Sequence, residues 1–144
     1  WDENDIIPYC IEHDIAVVTY SSIAQGILTG KFPRHPEFKE GDQRPQTTLF
    51  QDDVWPQVFE GVVEMKTIAA DAGRPLTHLA IRWVAAQPTV TSVLVGVRNA
   101  SQVEENAKAM GGEIDPSVIE RLTQVSDRVH RSIPDTGNIF QYYP

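Results

Sequence analysis

The sequence predicts an α/β fold in which parallel β-strands alternate with α-helices. Two runs of mostly β-branched and apolar residues, 15–20 and 90–97, are typical of strands that are covered on both faces. Helical periodicity occupies much of the remaining sequence, and this order of elements indicates parallel pairing with right-handed crossovers. Because two parallel strands with helices on top are not a stable sheet by themselves, we expect the fold to be incomplete.

The helices are predicted from stripes of apolar residues and from their capping residues. Asn99 followed by Gln102 predicts a capping box, and Asp115 followed by Pro116 predicts the start of a last helix. The segment 21–52, rich in glycine, proline and polar residues, exceeds the usual connection of about 4–6 residues, and we expect its second part to be mobile. Helices are expected at about 3–13, 53–72, 75–87, 99–110 and 115–130.

The length of the chain limits the folds it can form. Its 144 residues, 41% of them hydrophobic and 22% charged, are typical of one modest globular domain. A complete (β/α)8 barrel takes about 250 residues, so the chain is too short to form one alone. The sequence begins at Trp1 rather than at a methionine, and we expect it to be part of a longer protein.

Composition argues against several classes of function. The net charge of −8 disfavours general binding to nucleic acid, and no apolar stretch approaches the ~20 residues of a membrane helix. The single Cys10 cannot form an internal disulfide, so a reducing cytoplasm is the expected location. Because Cys10 lies in an apolar stretch, we expect it to be a buried structural thiol. The four histidines show no metal-ligand spacing, and we expect no metal site.

Polar residues follow both predicted strands, at the carboxyl ends where parallel α/β folds bind ligands. Arg98 precedes a capped helix, whose free N–H groups and positive dipole end suit phosphate, but the same pattern fits an ordinary turn with a solvated arginine. Tyr20 offers an aromatic face for a flat ring, or is a half-buried strand residue. Lys31 is a second candidate for a phosphate contact. No catalytic acid, base or nucleophile is evident from the residues themselves.

Three segments carry a resemblance to a known family. The segment 20–32, YSSIAQGILTGKF, resembles the region after the seventh strand of aldo-keto reductases. The segment 92–106, SVLVGVRNASQVEEN, resembles that family's eighth strand and the helix behind it. The segment 79–88, LAIRWVAAQP, resembles the helix between them, and the resemblance extends from Ile6 to about Val129.

The resemblance implies that the chain is the C-terminal part of a (β/α)8 TIM barrel. Residues 1–131 would belong to the barrel, and residues 132–144 would form an irregular tail. The family's catalytic aspartate, tyrosine, lysine and histidine come from the first half of the barrel, and no residue here matches their motifs. The intact protein is therefore expected to reduce aldehydes or ketones with NADPH, and the isolated chain is expected to be inactive.

The resemblance also implies that NADP(H) binds in an extended pose, without a Rossmann domain. Tyr20 would stack on the nicotinamide ring, Arg98 and Gln102 would hold the 2′-phosphate, and Glu105 and Asn106 would meet the adenine. The other implied contacts line the pyrophosphate, lie close to it or approach the adenosine: Ser21, Ile23, Gln25, Gly26, Lys31 and Gly96.

Two positions depart from the family pattern. Ser22 stands where related sequences usually carry proline, so we expect a less rigid loop. Val97 stands where a smaller residue is common, and we expect it to crowd the phosphate.

Two other functions are compatible with the sequence. Potassium-channel β-subunits resemble reductases in this region and act as non-catalytic, cofactor-sensing partners of a membrane protein, although Arg98 favours the enzymes. A stand-alone binding module is the third interpretation, and it requires that two strands suffice for a stable fold. The strands 15–20 and 90–97 are expected to expose barrel-facing side chains, which the missing half or an oligomer partner would cover.

Overall fold

The computed structural model describes residues 6–134, in which two parallel strands pack with five α-helices. The order of elements is the predicted one, which confirms the α/β class, and the two-stranded sheet is open. The helices are α1 (Ile6–Glu12), α2 (Trp55–Asp71), α3 (Leu76–Ala85), α4 (Ala100–Lys108) and α5 (Pro116–Ser132), and the strands are β1 (Val17–Thr19) and β2 (Val90–Val93).

The two strands are shorter than the apolar runs that predict them. Their register joins Val17 to Val90, and it is irregular before Val18. Each strand has one partner among residues 6–134, so its other edge is unpaired. Val18, Tyr20 and Leu94 are 55%, 69% and 55% exposed, so one face lacks the cover that the apolar pattern predicts.

The hydrophobic core lies mainly where α2, α3 and α5 meet. Leu79 of α3 is fully buried, and Val125 of α5 is 2% exposed. Burying an aliphatic side chain of this size stabilises a fold by about 1.5–3 kcal/mol, so this helical layer is the stable part of the structure. Trp83 lies at its margin, where its indole Nε1 donates to Thr123 Oγ1 at 2.7 Å. Because α3 also packs against β2, it connects the core to the strands.

The long segment 21–52 is attached to the core through its aromatic and aliphatic residues, although most of residues 33–46 are exposed. It contains short 3-10 turns, and Phe50 near its end is buried and stacks on Trp55 with ring centroids 4.9 Å apart. Phe32 and Phe38 pack against Phe50 edge-on. The sequence pattern missed this because glycine and proline spacing does not reveal aromatic residues that converge in space.

The ends of the predicted elements shift by a few residues. Helix α5 continues to Ser132, one residue into the predicted tail, and Ile133 still packs on the core. The rest of that tail, 135–144, and the start of the first helix, predicted at residue 3, fall outside the described residues. The domain boundary at residue 131 stays a prediction.

The contact between α2 and α5 leaves no room for a side chain at Gly61. A Cβ atom there would lie 2.4 Å from Cγ2 of Val129. Alanine normally favours a helix over glycine by about 1 kcal/mol, but overpacking costs about 1–3 kcal/mol. We therefore expect Gly61→Ala to lower the free energy of unfolding, measured by urea denaturation.

The matched control is the same substitution in a Val129→Ala background. There the obstructing methyl group is gone, so Gly61→Ala is expected to be neutral or stabilising. An unchanged or raised stability of the single Gly61→Ala variant would contradict the tight α2–α5 contact.

Candidate functional site

The carboxyl ends of β1 and β2 open into one cavity of about 590 Å³. Parallel pairing brings these two ends to the same edge of the sheet, which is the position expected for a ligand site. Ten of the eleven predicted contacts line this cavity: Ser21, Ile23, Gln25, Gly26, Lys31, Gly96, Arg98, Gln102, Glu105 and Asn106.

Tyr20 is the predicted contact that the structure leaves outside the cavity lining. It follows β1, and it is 69% exposed within the described residues. Its proposed place against a nicotinamide ring stays a prediction.

The cavity wall also contains residues that the sequence did not indicate. Arg44 comes from the long segment, and Thr77 and His78 come from the first turn of α3. None of them lies near the strand-end motifs in sequence, so only the folded chain brings them to the site. Val97 lines the cavity as well and is 42% exposed, while the crowding expected from it stays a prediction.

The wall after β1 has an unusual backbone conformation. Ser21, Ala24 and Gln25 all have positive φ angles, of 55°, 48° and 56°. Such left-handed residues other than glycine cost about 1–3 kcal/mol each, and they cluster at ligand sites. Within this turn Gln25 Nε2 donates to Ser21 Oγ at 3.2 Å, and Gly26 follows with a φ of 90°. The tight turn gives the cavity a preformed wall.

Ser22 ties the two walls together. It is buried, and its hydroxyl donates to the carbonyl oxygen of Leu94 at 3.0 Å. The N–H of Leu94 in turn donates to the carbonyl oxygen of Thr19 at 2.9 Å. A proline at position 22 has no hydroxyl and could not make the first bond, so this departure from the family pattern adds a link between the strand ends.

The wall after β2 is shaped by the capped start of α4, where the structure confirms Asn99 as the N-cap, while the side chain of Gln102 reaches the N–H of Arg98 instead of that of Asn99. Asn99 Oδ1 accepts from the N–H of Gln102 at 3.0 Å, and Gln102 Oε1 accepts from the N–H of Arg98 at 2.7 Å. The guanidinium of Arg98 is exposed and has no hydrogen-bond or ion-pair partner within residues 6–134. It is therefore available to a ligand.

The charge in the cavity is opposite to that of the whole chain. Lys31, Arg44 and Arg98 line the cavity together. Burial lowers the pKa of Lys31, and the positive charges of Arg44 and Arg98 lower it further. This local excess of cations, in a chain of net charge −8, makes the cavity suitable for an anion.

Arg44 is held in place from two sides. Its guanidinium lies over the rings of Phe32 and Phe38, with Cζ 5.1 and 5.2 Å from their centroids. Asp42 Oδ1 accepts from Arg44 Nε at 2.8 Å, and Asp42 Oδ2 also accepts from Nη2. These hydrogen bonds lower the pKa of Asp42 to about 2.

The cavity lining also contains a carboxylate, Glu105, that lies between two basic side chains. Oε1 of Glu105 lies 3.0 Å from Nε2 of His78, and Oε2 lies 2.8 Å from Nζ of Lys108. The hydrogen bond from Lys108 is the main cause that lowers the pKa of Glu105, and His78 adds to it.

Of the remaining sequence expectations, the buried thiol has a direct counterpart in the structure. Cys10 is buried, as expected for a structural thiol. Within residues 6–134 no three His, Cys, Asp or Glu side chains are grouped to hold a metal ion. In the same range no helix combines the length and the apolar character needed to cross a membrane.

The pair of Asp42 and Arg44 predicts an acid transition. Since the pKa of Asp42 falls from 3.8 to about 2, the pair stabilises the fold fully above about pH 4, and this contribution is lost as the pH falls through about 2. A carboxyl ¹³C titration should give a midpoint near 2 for Asp42. Arg44→Gln should raise it towards the ordinary value, and Arg34→Gln, which removes a cation paired with Glu60, should not. A wild-type midpoint near 4 would contradict the pairing.

Comparison with known proteins identifies the family. Residues 1–127 match the model of the Aldo/keto reductase family. The chain is 32% identical over 127 residues to a probable voltage-gated potassium channel subunit beta of Arabidopsis thaliana, over 85% of this chain and 39% of that one. It is 26% identical over 129 residues to the NADH-specific methylglyoxal reductase of Escherichia coli, over 88% of this chain and 39% of that one.

Among solved structures, the glycerol dehydrogenase AKR11B4 from Gluconobacter oxydans has a TM-score of 0.81 and 27% sequence identity, over 95% of this chain and 41% of that one. The chain thus spans about two fifths of the length of each of these proteins. The family match covers the strand-end segments and the helices that form the cavity. The chain belongs to the aldo-keto reductase family.

Proposed function

We propose that this chain is the cofactor-holding part of an NADP(H)-dependent oxidoreductase that reduces aldehydes or ketones. One observation carries the proposal: ten contacts implied by the family resemblance surround a single cavity, at the carboxyl ends of two parallel strands. The same cavity collects Lys31, Arg44 and Arg98. Although Arg44 is paired with Asp42, Lys31 and Arg98 have no ion-pair partner among residues 6–134, which suits a phosphate ligand.

The 2′-phosphate would lie at the start of α4. There Arg98 offers an unpaired planar guanidinium, which suits bidentate hydrogen bonding to phosphate oxygens. The hydrogen bonds of Asn99 and Gln102 fix the backbone that carries Arg98. Lys31 and Arg44 add positive charge on the facing wall. This charge is the reason to propose NADP(H), even though the relative from E. coli is named as NADH-specific.

Gly96 is suited to close approach of the adenosine part. A Cβ atom built at this position would meet nothing within 4 Å, and its φ is not positive. Nothing among residues 6–134 therefore requires glycine at this position. A bound nucleotide that packs against the backbone would provide the reason for it.

The remaining roles follow the family resemblance. The turn of Ser21, Ile23, Gln25 and Gly26 would line the pyrophosphate, and Glu105 and Asn106 would meet the adenine. When bound, the cofactor supplies or accepts the hydride, and the protein binds and orients it. Tyr20 would stack on the nicotinamide in the intact protein.

Catalysis would require residues from another part of the barrel. No residue of the chain matches the family's catalytic aspartate, tyrosine, lysine and histidine motifs, so we infer that the isolated chain has no reductase activity. The exposed strand face around Val18, Tyr20 and Leu94 would pack against the rest of the barrel or against an oligomer partner. A cytoplasmic location is part of the same proposal.

The second candidate is a cofactor-sensing subunit of a membrane channel. The 32% identity to a probable potassium channel subunit beta favours it. In that case the same cavity would hold the cofactor, and the intact protein would associate with a channel. Repeated turnover of NADPH by the intact protein with aldehydes or ketones supports the reductase. Binding of NADPH with slow or no turnover, together with stable co-purification with a channel, supports the subunit.

Arg98→Gln tests the phosphate contact. Hydrogen bonds to charged groups contribute about 1.5–3 kcal/mol, so we expect the Kd for NADPH to rise about 10- to 100-fold. The Kd for NADH, which lacks the 2′-phosphate, should change about threefold or less. Calorimetric titration or the fluorescence of the reduced nicotinamide measures both constants.

The matched control is Arg121→Gln, which removes the same charge on α5. There the arginine pairs with Asp71, and neither residue lines the cavity. This variant should leave both dissociation constants unchanged. If Arg98→Gln weakened the affinity for NADPH and NADH equally, or weakened neither, the assignment of Arg98 to the 2′-phosphate would be wrong.

A further inference from the structure

A buried histidine in the cavity wall has no role in the proposed contacts. His78, in the first turn of α3, has a side chain that is 8% exposed, and it lines the cavity. Its Nε2 atom has no aligned hydrogen bond among the described residues. Buried polar atoms are almost always hydrogen-bonded, so an orphaned nitrogen at a cavity needs an explanation.

The neighbour of this nitrogen determines where the proton lies. Oε1 of Glu105 is 3.0 Å from Nε2, which is ion-pair distance. An ionised carboxylate can only accept hydrogen bonds, so a bare lone pair on Nε2 would be repelled by it. The distance favours Nε2 as the ring nitrogen that donates, and a small rotation aligns it with Oε1 of Glu105.

Glu105 is thereby braced by two helices. His78 of α3 approaches Oε1, and Lys108 of α4 donates to Oε2 at 2.8 Å. Both neighbours lower the pKa of the carboxyl group, and this favours the ionised form. Each carboxylate oxygen has two lone pairs, so Glu105 can still accept a hydrogen bond from a ligand. Its side chain is 49% exposed, which leaves it accessible from the cavity.

We propose that His78 is a positioning residue that holds Glu105 as an acceptor for the exocyclic amino group of adenine, and so makes the site select adenine over hypoxanthine. This inference rests on the proposed function, because it requires a nucleotide whose base lies beside α4. Hypoxanthine carries a carbonyl oxygen in place of the amino group. That carbonyl oxygen cannot donate a hydrogen bond to the Glu105 carboxylate, and the two acceptors would repel each other. A site built to accept a hydrogen bond from a ligand disfavours an analogue that lacks the donor.

The test compares the dissociation constants of NADPH and of its hypoxanthine analogue. In the wild-type chain we expect about a tenfold preference for NADPH, of the order that one hydrogen bond to a charged group provides. His78→Leu introduces an apolar side chain of similar volume that cannot donate a hydrogen bond. This variant should reduce the preference to about threefold or less. His78→Gln places an amide donor near the position of Nε2 and should retain most of the preference.

A cycle with Glu105→Ala separates positioning from a general loss of structure. Glu105→Ala alone should abolish the preference, and adding His78→Leu to it should change the ratio no further. The inference would be overturned if His78→Leu retained the preference for NADPH over the hypoxanthine analogue. It would also be overturned if His78→Gln lost as much of this preference as His78→Leu. Wild-type chain that binds both nucleotides equally would overturn it too. Wild-type chain that binds neither nucleotide would instead overturn the proposed function, and this inference with it.

A second measurement does not depend on how the variants fold. The ¹⁵N chemical shifts of the His78 ring in the wild-type chain report which nitrogen is protonated. A protonated Nε2 without nucleotide is the expected result. A neutral ring protonated at Nδ1 alone would overturn the proposal, because such a ring cannot donate to Glu105.

Discussion

The parallel pairing of β1 and β2 is the constraint on which the rest of the structure depends. Because the strands run in the same direction, the segments that follow them meet at one edge, although they lie more than 70 residues apart in sequence. The bond from Ser22 to Leu94 closes that edge. It joins the strained turn after β1 to the chain that leaves β2, so the positions of the two cavity walls are coupled.

Helix α3 transmits the stability of the core to the cavity. Its Leu79 is fully buried, while the preceding residue, His78, forms part of the cavity wall. A helix anchored in this way offsets the cost of three left-handed residues and of like charges placed close together. Features that are unfavourable in isolation thus coincide at one place, which is typical of a binding site rather than of a structural connection.

Local sequence patterns predicted much of this arrangement. The N-cap of α4 at Asn99, the helices and the convergence of the two strand-end segments all depend on neighbouring residues or on strand direction. Arg44 and His78 could not be found in this way, since tertiary packing brings each to the cavity from a distant segment. The lengths of the two strands were overestimated, because their apolar residues suit a sheet with more strands than residues 6–134 provide.

If the proposed function is correct, the cavity at the strand ends binds NADPH. Titration of the ¹⁵N-labelled chain with NADPH, followed by amide NMR spectra, tests it most directly. Saturable shifts should concentrate at Gly96, Arg98 and Gln102 and in the turn 21–26, while amides around Asp71 and Arg121 stay unchanged. Shifts that are absent, or that spread evenly over the helices far from the strand ends, would contradict the claim.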